Sequence, residues 1–473
     1  MDVLFIHGYS ETSLGAYYTL PARLQAAVPA VTRVAIAAYD SLDDTVTISD
    51  LADAMETRMT AMEVRGAPPW DTARCAIICH STGALVARRW ILNRLARGKP
   101  IPSHLVTLAG ANHGSTLAQL GKTPLGYLQK LLSKHILTVG AQVLTDLDYG
   151  SDFLWRLNTE WMDRSNDGSL DNLWLFCMGG DSIGSDPAMQ LFWATHEHGS
   201  DNTVRISGAN LNYTIIDAAH DDNHQPVVIA KTLKRRVPHL VLDGYSHFGD
   251  VSGINGWVDP SGDRVTAALA QALGVTDAAG YAGVLSAWDR ATTSWMGKKR
   301  ATNPGPGTAD INATVVFDMR DESGRPIDDC LIAIMDASKL TDPSHASAST
   351  VQAAADALDA SNSVSAAIIA HSPIHNDVAV GSYSFYIDYD TYVTTSPHFF
   401  HAEAAVPSQW IGFVPLTFTQ PPTLTHAIAP NEVTYLRLTM SRAVEQAYAA
   451  YSVPFDPATT WSPMPFPTPG QVP

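Results

Sequence analysis

The sequence predicts an α/β domain with a mainly parallel central sheet and a helical cap, followed by an all-β sandwich or barrel domain. Two patterns carry this. Short apolar runs bounded by turns alternate with helix-period segments as far as Met296, and strict two-residue alternation takes over from Ile311. A length of 473 residues agrees with about two or three domains.

The first run, Val3–Ile6, suits a central parallel strand, buried on both faces. His7-Gly8-Tyr9 follows at its C-terminal end, the edge where open α/β sheets gather ligands and catalytic groups. Further strands are expected near 33–39, 74–79, 104–109, 173–178 and 239–242. Ile48, Leu51, Met55, Met59 and Met62 fall at helical spacing and read as core. Thr82–Arg97 is a helix lined by Leu85, Trp90, Leu92 and Leu95; Gly98 and Pro100 end it. Residues 265–296 supply one or two final helices.

Between the strand Arg74–Cys79 and the helix from Thr82 stands Cys79-His80-Ser81-Thr82-Gly83. A serine on so sharp a strand-to-helix turn is held exposed, with a helix N-terminus behind it that favours negative charge. Gly83 supplies the small residue after the serine; Cys79 stands where a glycine is usual.

Residues 1–300 resemble the lipase/esterase group of α/β-hydrolases, and five segments in order carry the likeness. They are His7-Gly8-Tyr9, Cys79–Gly83, Leu105–Ser115, Gly199–Val204 and Gly244–Gly249. The third is similar to bacterial lipases and to the GPI-inositol-deacylase-like group. The resemblance implies a catalytic set of Ser81, Asp201 and His247, in the chain order of this fold, with the backbone N–H groups of Tyr9 and Thr82 as the oxyanion hole. It requires neither a metal nor an organic cofactor. Asp181, after the run Leu173–Gly180, is the rival for the acid. His220, His224 and His239 are rivals for the base: the first two lie in an Asp-rich stretch that reads as solvated, and His239 reads as a strand start. Ser115 reads as a cap, His80 as a shape-filling neighbour, and His196 and His198 as a polar loop without further metal ligands.

The resemblance implies a serine carboxylester hydrolase, a lipase or esterase, acting on lipid-like or long-chain esters at an interface. Phospholipase, thioesterase and polyester hydrolase use the same set. A non-catalytic lipid-binding protein on a hydrolase scaffold is the alternative of another class. A dehalogenase would need a carboxylate at position 81.

Thirty basic against 47 acidic residues give a net charge of −17, which argues against nucleic acid and anionic membrane surfaces as partners. No run approaches the ~20 apolar residues of a membrane span. The expected location is cytoplasmic if the chain is complete and secreted if a leader was removed. Of the four cysteines, Cys75 and Cys79 on one strand stand about 13 Å apart and cannot bridge. With Cys177 and Cys330 they are expected to be free thiols.

The expected organisation is a catalytic domain 1–297, a Pro/Gly linker 298–310, an all-β domain 311–445 and a Pro-rich tail 446–473. Residues 116–170 hold short amphipathic segments (125–132, 143–147, 153–157), expected as a cap over Ser81, either mobile or fixed. The all-β domain loosely resembles the C-terminal domains of certain two-domain lipases. Its Phe399, Phe400, Trp410 and Phe413 read mostly as packing.

Overall fold

The computed structural model describes residues 1–9, 15–66, 68–115, 140–184, 198–304, 310–328, 330–336, 374–375, 379–393, 398–404, 411–419, 424 and 427–444. Six strands, β1 (Asp2–Ile6), β2 (Arg33–Ala37), β3 (Cys75–His80), β4 (His104–Leu108), β5 (Trp174–Gly180) and β8 (His239–Leu242), form a sheet in the order β2-β1-β3-β4-β5-β8. Every pairing in it is parallel. The apolar runs are continuous because both faces are covered. Leu4, Ile6, Ile77, Cys79 and Leu105 pack against α2 (Ile48–Arg65), α3 (Gly83–Ala96), α4 (Ala141–Leu147) and α5 (Asp152–Asn166). Val3, Phe5, Ala76, Ile78 and Val106 pack against α1 (Leu20–Ala27), α7 (Arg264–Leu273) and α8 (Ala278–Thr302). A short helix, α6 (Ile206–Ala209), lies between β5 and the strands that follow it. The entry to α2 is set by a capping box in which Thr47 and Asp50 satisfy each other's backbone N–H.

The second half forms small sheets of its own, but its largest sheet is shared with the first half. Two strands from the first half, β6 (Tyr213–His220) and β7 (Pro226–Thr232), make an antiparallel hairpin. They join β9 (Asn312–Asp321), β11 (Ile374–His375), β12 (Ser382–Asp388) and β16 (Val433–Met440) in the order β11-β12-β9-β16-β6-β7. The seam is the parallel pairing of β16 with β6, from Val433 opposite Tyr213 to Thr439 opposite Ala219. Smaller sheets are β10 (Cys330–Asp336) with β13 (His398–Ala404) and β15 (Leu416–Thr419), and β14 (Ile411–Phe413) with β17 (Arg442–Val444). One helical turn, α9 (Tyr389–Val393), follows β12. One apolar core spans both halves, holding Ile216 and Ala218 of β6 with Phe317, Phe385, Leu436 and Leu438.

These findings redraw the expected boundaries. The linker expected from 298 begins inside α8, which runs to Thr302. The hairpin 213–232 belongs to the second sheet although it precedes β8 in sequence. His220 is half-buried at the end of β6, and His224 sits in the hairpin turn with φ of 57°. Segments α4 and α5, expected as cap, are core elements: Val143, Leu147, Leu154 and Leu157 are buried with the nucleophile helix. The segment 125–132, Trp410 and the tail from 446 lie outside the described residues. Cys75, Cys79 and Cys177 are buried free thiols and Cys330 is a half-buried one. Phe400 is buried and stacks on Phe418, with ring centroids 5.2 Å apart, while Phe413 is partly buried.

Removal of the chain after residue 304 should leave β6 without β16 and expose the Ile216 side of the shared core. The expected product is insoluble or aggregated on size-exclusion chromatography. A soluble, cooperatively unfolding 1–304 fragment would contradict this.

Candidate active site

Ser81 follows the last residue of β3, and its φ of +54° is a conformation L side chains seldom adopt. The turn is over-determined by its neighbours. Ser81 N–H donates to Leu108 O at 3.1 Å, and Ser81 O accepts from Ala84 N–H at 3.1 Å and from Ala111 N–H at 3.1 Å. Strain of this kind persists only where surroundings enforce it. Two glycines let backbones meet here. A Cβ on Gly83 would stand 2.5 Å from His7 O, and one on Gly8 would stand 2.7 Å from Ser81 Cβ. The His7-Gly8 loop therefore lies directly against the serine.

The loop after β8 brings His247 to Ser81, with Nε2 2.9 Å from Oγ. Nδ1 of the same ring is 2.8 Å from Asp201 Oδ2. A carboxylate accepts, so Nδ1 carries the proton and Nε2 faces the serine hydroxyl as an acceptor. Asp201 Oδ1 accepts from the backbone N–H groups of Thr203 at 3.0 Å and Val204 at 2.7 Å. His247 N–H also donates to Asp201 O at 3.2 Å, so the two residues are joined by main chain as well as side chain. All three side chains are buried or nearly so.

Around the trio, histidines do work that sequence did not expose. His80 Nε2 lies 2.8 Å from His247 O, and since a carbonyl accepts, that nitrogen is the donor. Burial, and then the neighbouring His247, push the His80 pKa down to about 3, so His80 stays neutral and does not oppose charge on His247. It positions His247 rather than merely filling space. His7 Nε2 accepts from Tyr39 N–H at 3.0 Å, which leaves Nδ1 to donate to Gly8 O at 2.9 Å. Tyr39 also stacks on His7, with centroids 4.2 Å apart, and its hydroxyl donates to His7 O. The His7-Gly8 loop is thus held from two sides.

The Asp201 loop is held by the second half of the chain. Tyr386 OH donates to His198 O at 2.6 Å and Gly199 O at 3.0 Å, and Asn312 Nδ2 donates to His198 O at 2.9 Å. The Ser207 and Thr314 hydroxyls are 2.8 Å apart. The buried Arg205 guanidinium lies between the rings of Tyr149 and Tyr386, 4.6 and 4.1 Å from their centroids. Sequence patterns could not show this, because Tyr386, Asn312 and Thr314 are more than a hundred residues from the loop they hold.

Phospholipase PlaB from Legionella pneumophila has a similar structure, with a TM-score of 0.79 at 23% identity over 98% of this chain and 97% of that one. The same protein in complex with thio-NAD gives 0.79 at 24% identity over 97% and 98%. No protein-family model and no curated protein matches the sequence. The chain has the α/β-hydrolase fold. Its likeness to PlaB extends through the β region, so both halves share one architecture with that protein.

Within this α/β-hydrolase fold the rival residues have other partners. Asp181 Oδ1 accepts from Gly244 N–H at 2.6 Å, and its Oδ2 accepts from Trp295 Nε1 at 2.7 Å and faces Lys299 Nζ at 2.8 Å. It braces the base loop from outside. Ser115 Oγ donates to Thr203 O at 2.6 Å, tying the loop after β4 to the Asp201 loop. His239 is buried at the start of β8, as expected. His198 Nδ1 stands 2.9 Å from Asp310 Oδ1, and His196 lies outside the described residues. Tyr9 is half-buried, and burial followed by the nearby Asp44 raises its phenol pKa, so the hydroxyl stays protonated.

Buried histidines set the acid limit of the fold. Burial pushes the pKa of His239 down to about 3 and lowers those of His104 and His113. Once unfolded, each binds a proton below about pH 6.5, whereas the folded state does not. Their contribution is therefore complete above about pH 6.5 and is lost as the pH falls, for His239 by about 1.4 kcal/mol per pH unit toward pH 3. Urea unfolding at pH 7.5 and pH 5 should show this fall, and His239→Gln should flatten it by about one proton's worth. An equal slope in the variant would refute His239 as a contributor.

Proposed function

We propose that this protein is a serine carboxylic-ester hydrolase acting on lipid esters. The observation that carries the reading is the unbroken relay Asp201–His247–Ser81, with contacts of 2.8 and 2.9 Å, on a serine held at φ +54°. Ser81 Oγ attacks the acyl carbonyl while His247 Nε2 takes its proton. The backbone N–H groups of Tyr9 and Thr82 receive the developing oxyanion, each such donor being worth about 3–4 kcal/mol. His247 then protonates the leaving alcohol, and water activated by the same nitrogen releases the acid. Asp201 keeps the imidazole in the reactive tautomer and stabilises its cation.

Phospholipids are favoured as the ester class by the likeness to PlaB, a phospholipase, across both halves of the chain. Activity is measured on a chain-length series of p-nitrophenyl esters and on neutral phospholipid vesicles. A protein that binds these lipids without turning them over would instead fit the non-catalytic lipid-binding alternative.

Ser81→Ala should lower ester turnover by about 10⁴–10⁶-fold with the fold intact. Asp201→Asn should cost about 10⁴-fold. Asp181→Asn should leave turnover near that of the native chain and lower thermal stability. The reverse ranking of the two aspartates would move the acid to Asp181. Tyr386→Phe removes a hydroxyl that holds the acid loop. It should lower kcat by about tenfold while KM moves little; an unchanged kcat would make that contact structural only.

A further inference from the structure

The edge strand β2 runs Arg33-Val-Ala-Ile-Ala37. Its alternation sends Val34 and Ile36 to the α1 side of the sheet and the small Ala35 and Ala37 to the α2 side. Opposite these alanines, α2 presents Met55, Met59 and Met62, successive positions of one helix face. Two methyl groups cannot fill the space that a β-branched pair would, and a cavity of about 590 Å³ remains between strand and helix. That size falls within the range of sites for small amphiphiles. Its walls are mainly apolar, and thioethers adapt readily to a flexible chain.

The two ends of this groove differ. Tyr39 closes the upper end, where it stacks on His7 and stands between the groove and the oxyanion loop. The other polar group in the lining is the exposed Arg58, which has no hydrogen-bond or ion-pair partner among the described residues. Along the outer side β2 has no neighbouring strand among the described residues. An apolar trough roofed by methionines, with one unpaired cation at its rim, complements a long hydrocarbon chain that ends in an anion.

We infer that the groove between β2 and α2 is a second lipid site, separate from Ser81, which binds a long-chain carboxylate with its chain along Ala35 and Ala37 and its carboxylate on Arg58. The inference rests on the ester-hydrolase reading only for the source of the ligand, since a fatty acid is the product of that reaction. Two residues decide its occupancy by different physics: volume at Ala37 and charge at Arg58.

The test titrates cis-parinaric acid, a fluorescent long-chain carboxylate, into the full-length chain and follows its emission. A parallel titration uses the Ser81→Ala chain, and ester turnover is recorded alongside. The expected result is saturable binding in both chains, weakened at least tenfold by Ala37→Leu, which fills the groove. Arg58→Glu should weaken parinaric acid similarly and leave displacement by a long-chain alcohol unaffected. Arg58 is exposed on a helix, so its variant tests the site even if Ala37→Leu does not fold. Binding unchanged by both substitutions would overturn the inference. So would binding of an extended apolar peptide along β2 with no response to the fatty acid. Failure of the hydrolase reading would appear differently, as absent turnover with parinaric acid binding intact.

Discussion

The parallel pairing of β16 with β6 is the contact on which the rest of the molecule depends. A hairpin that leaves the first domain between β5 and β8 has no partner in its own sheet. Its free edge is satisfied by a strand more than two hundred residues later. Buried backbone N–H and C=O groups must be paired, so the hairpin and the C-terminal strands form one sheet or neither is stable. The segment just before the hairpin carries Asp201. Whatever fixes β6 also bears on the Asp201 loop, and through the Asp201–His247 contact on the orientation of His247.

A polar network crosses the same seam. Arg88 on the nucleophile helix is fully buried, donating to Asn112 O at 2.9 Å and Asn158 Oδ1 at 2.7 Å, with Trp161 beneath it. Asn158 Nδ2 donates to Tyr435 OH of β16 at 2.8 Å, and that hydroxyl meets His113 Nδ1 at 3.1 Å. His113 Nε2 donates to Asn210 O, which leaves Nδ1 as the acceptor. A cation buried without a carboxylate is costly unless its hydrogen bonds are met, and removing any one partner leaves the others unsatisfied. The network thus ties the helix behind Ser81 to the last strand of the second sheet.

Positioning in this site is layered. His80 contacts the His247 carbonyl, Tyr39 holds His7, and Asp181 holds Gly244. Of these, His80 is the last residue of β3, while Tyr39 and Asp181 stand just beyond the ends of β2 and β5. The C-terminal region contributes by holding His198–Gly199 through Tyr386 and Asn312.

Sequence alone determined a good deal. The six strands of the parallel sheet were legible as apolar runs because burial on both faces removes any need for alternation. The strand-serine-helix turn was legible because its geometry restricts which residues can flank the serine. The order of Ser81, Asp201 and His247 came from local motifs, and tertiary structure brings those three together. What sequence could not decide was pairing over long distances. Tyr213–His220 reads as an ordinary strand, yet its neighbours are β7 and β16 and not β5. The Gly297-Lys-Lys-Arg stretch has a linker's composition, but α8 runs through it because Lys299 pairs with Asp181 and Arg300 with Asp390. His7, His80 and Tyr39 carried no signal of their roles. A hydrogen bond to a backbone carbonyl depends on where the chain passes, and only the folded structure decides that.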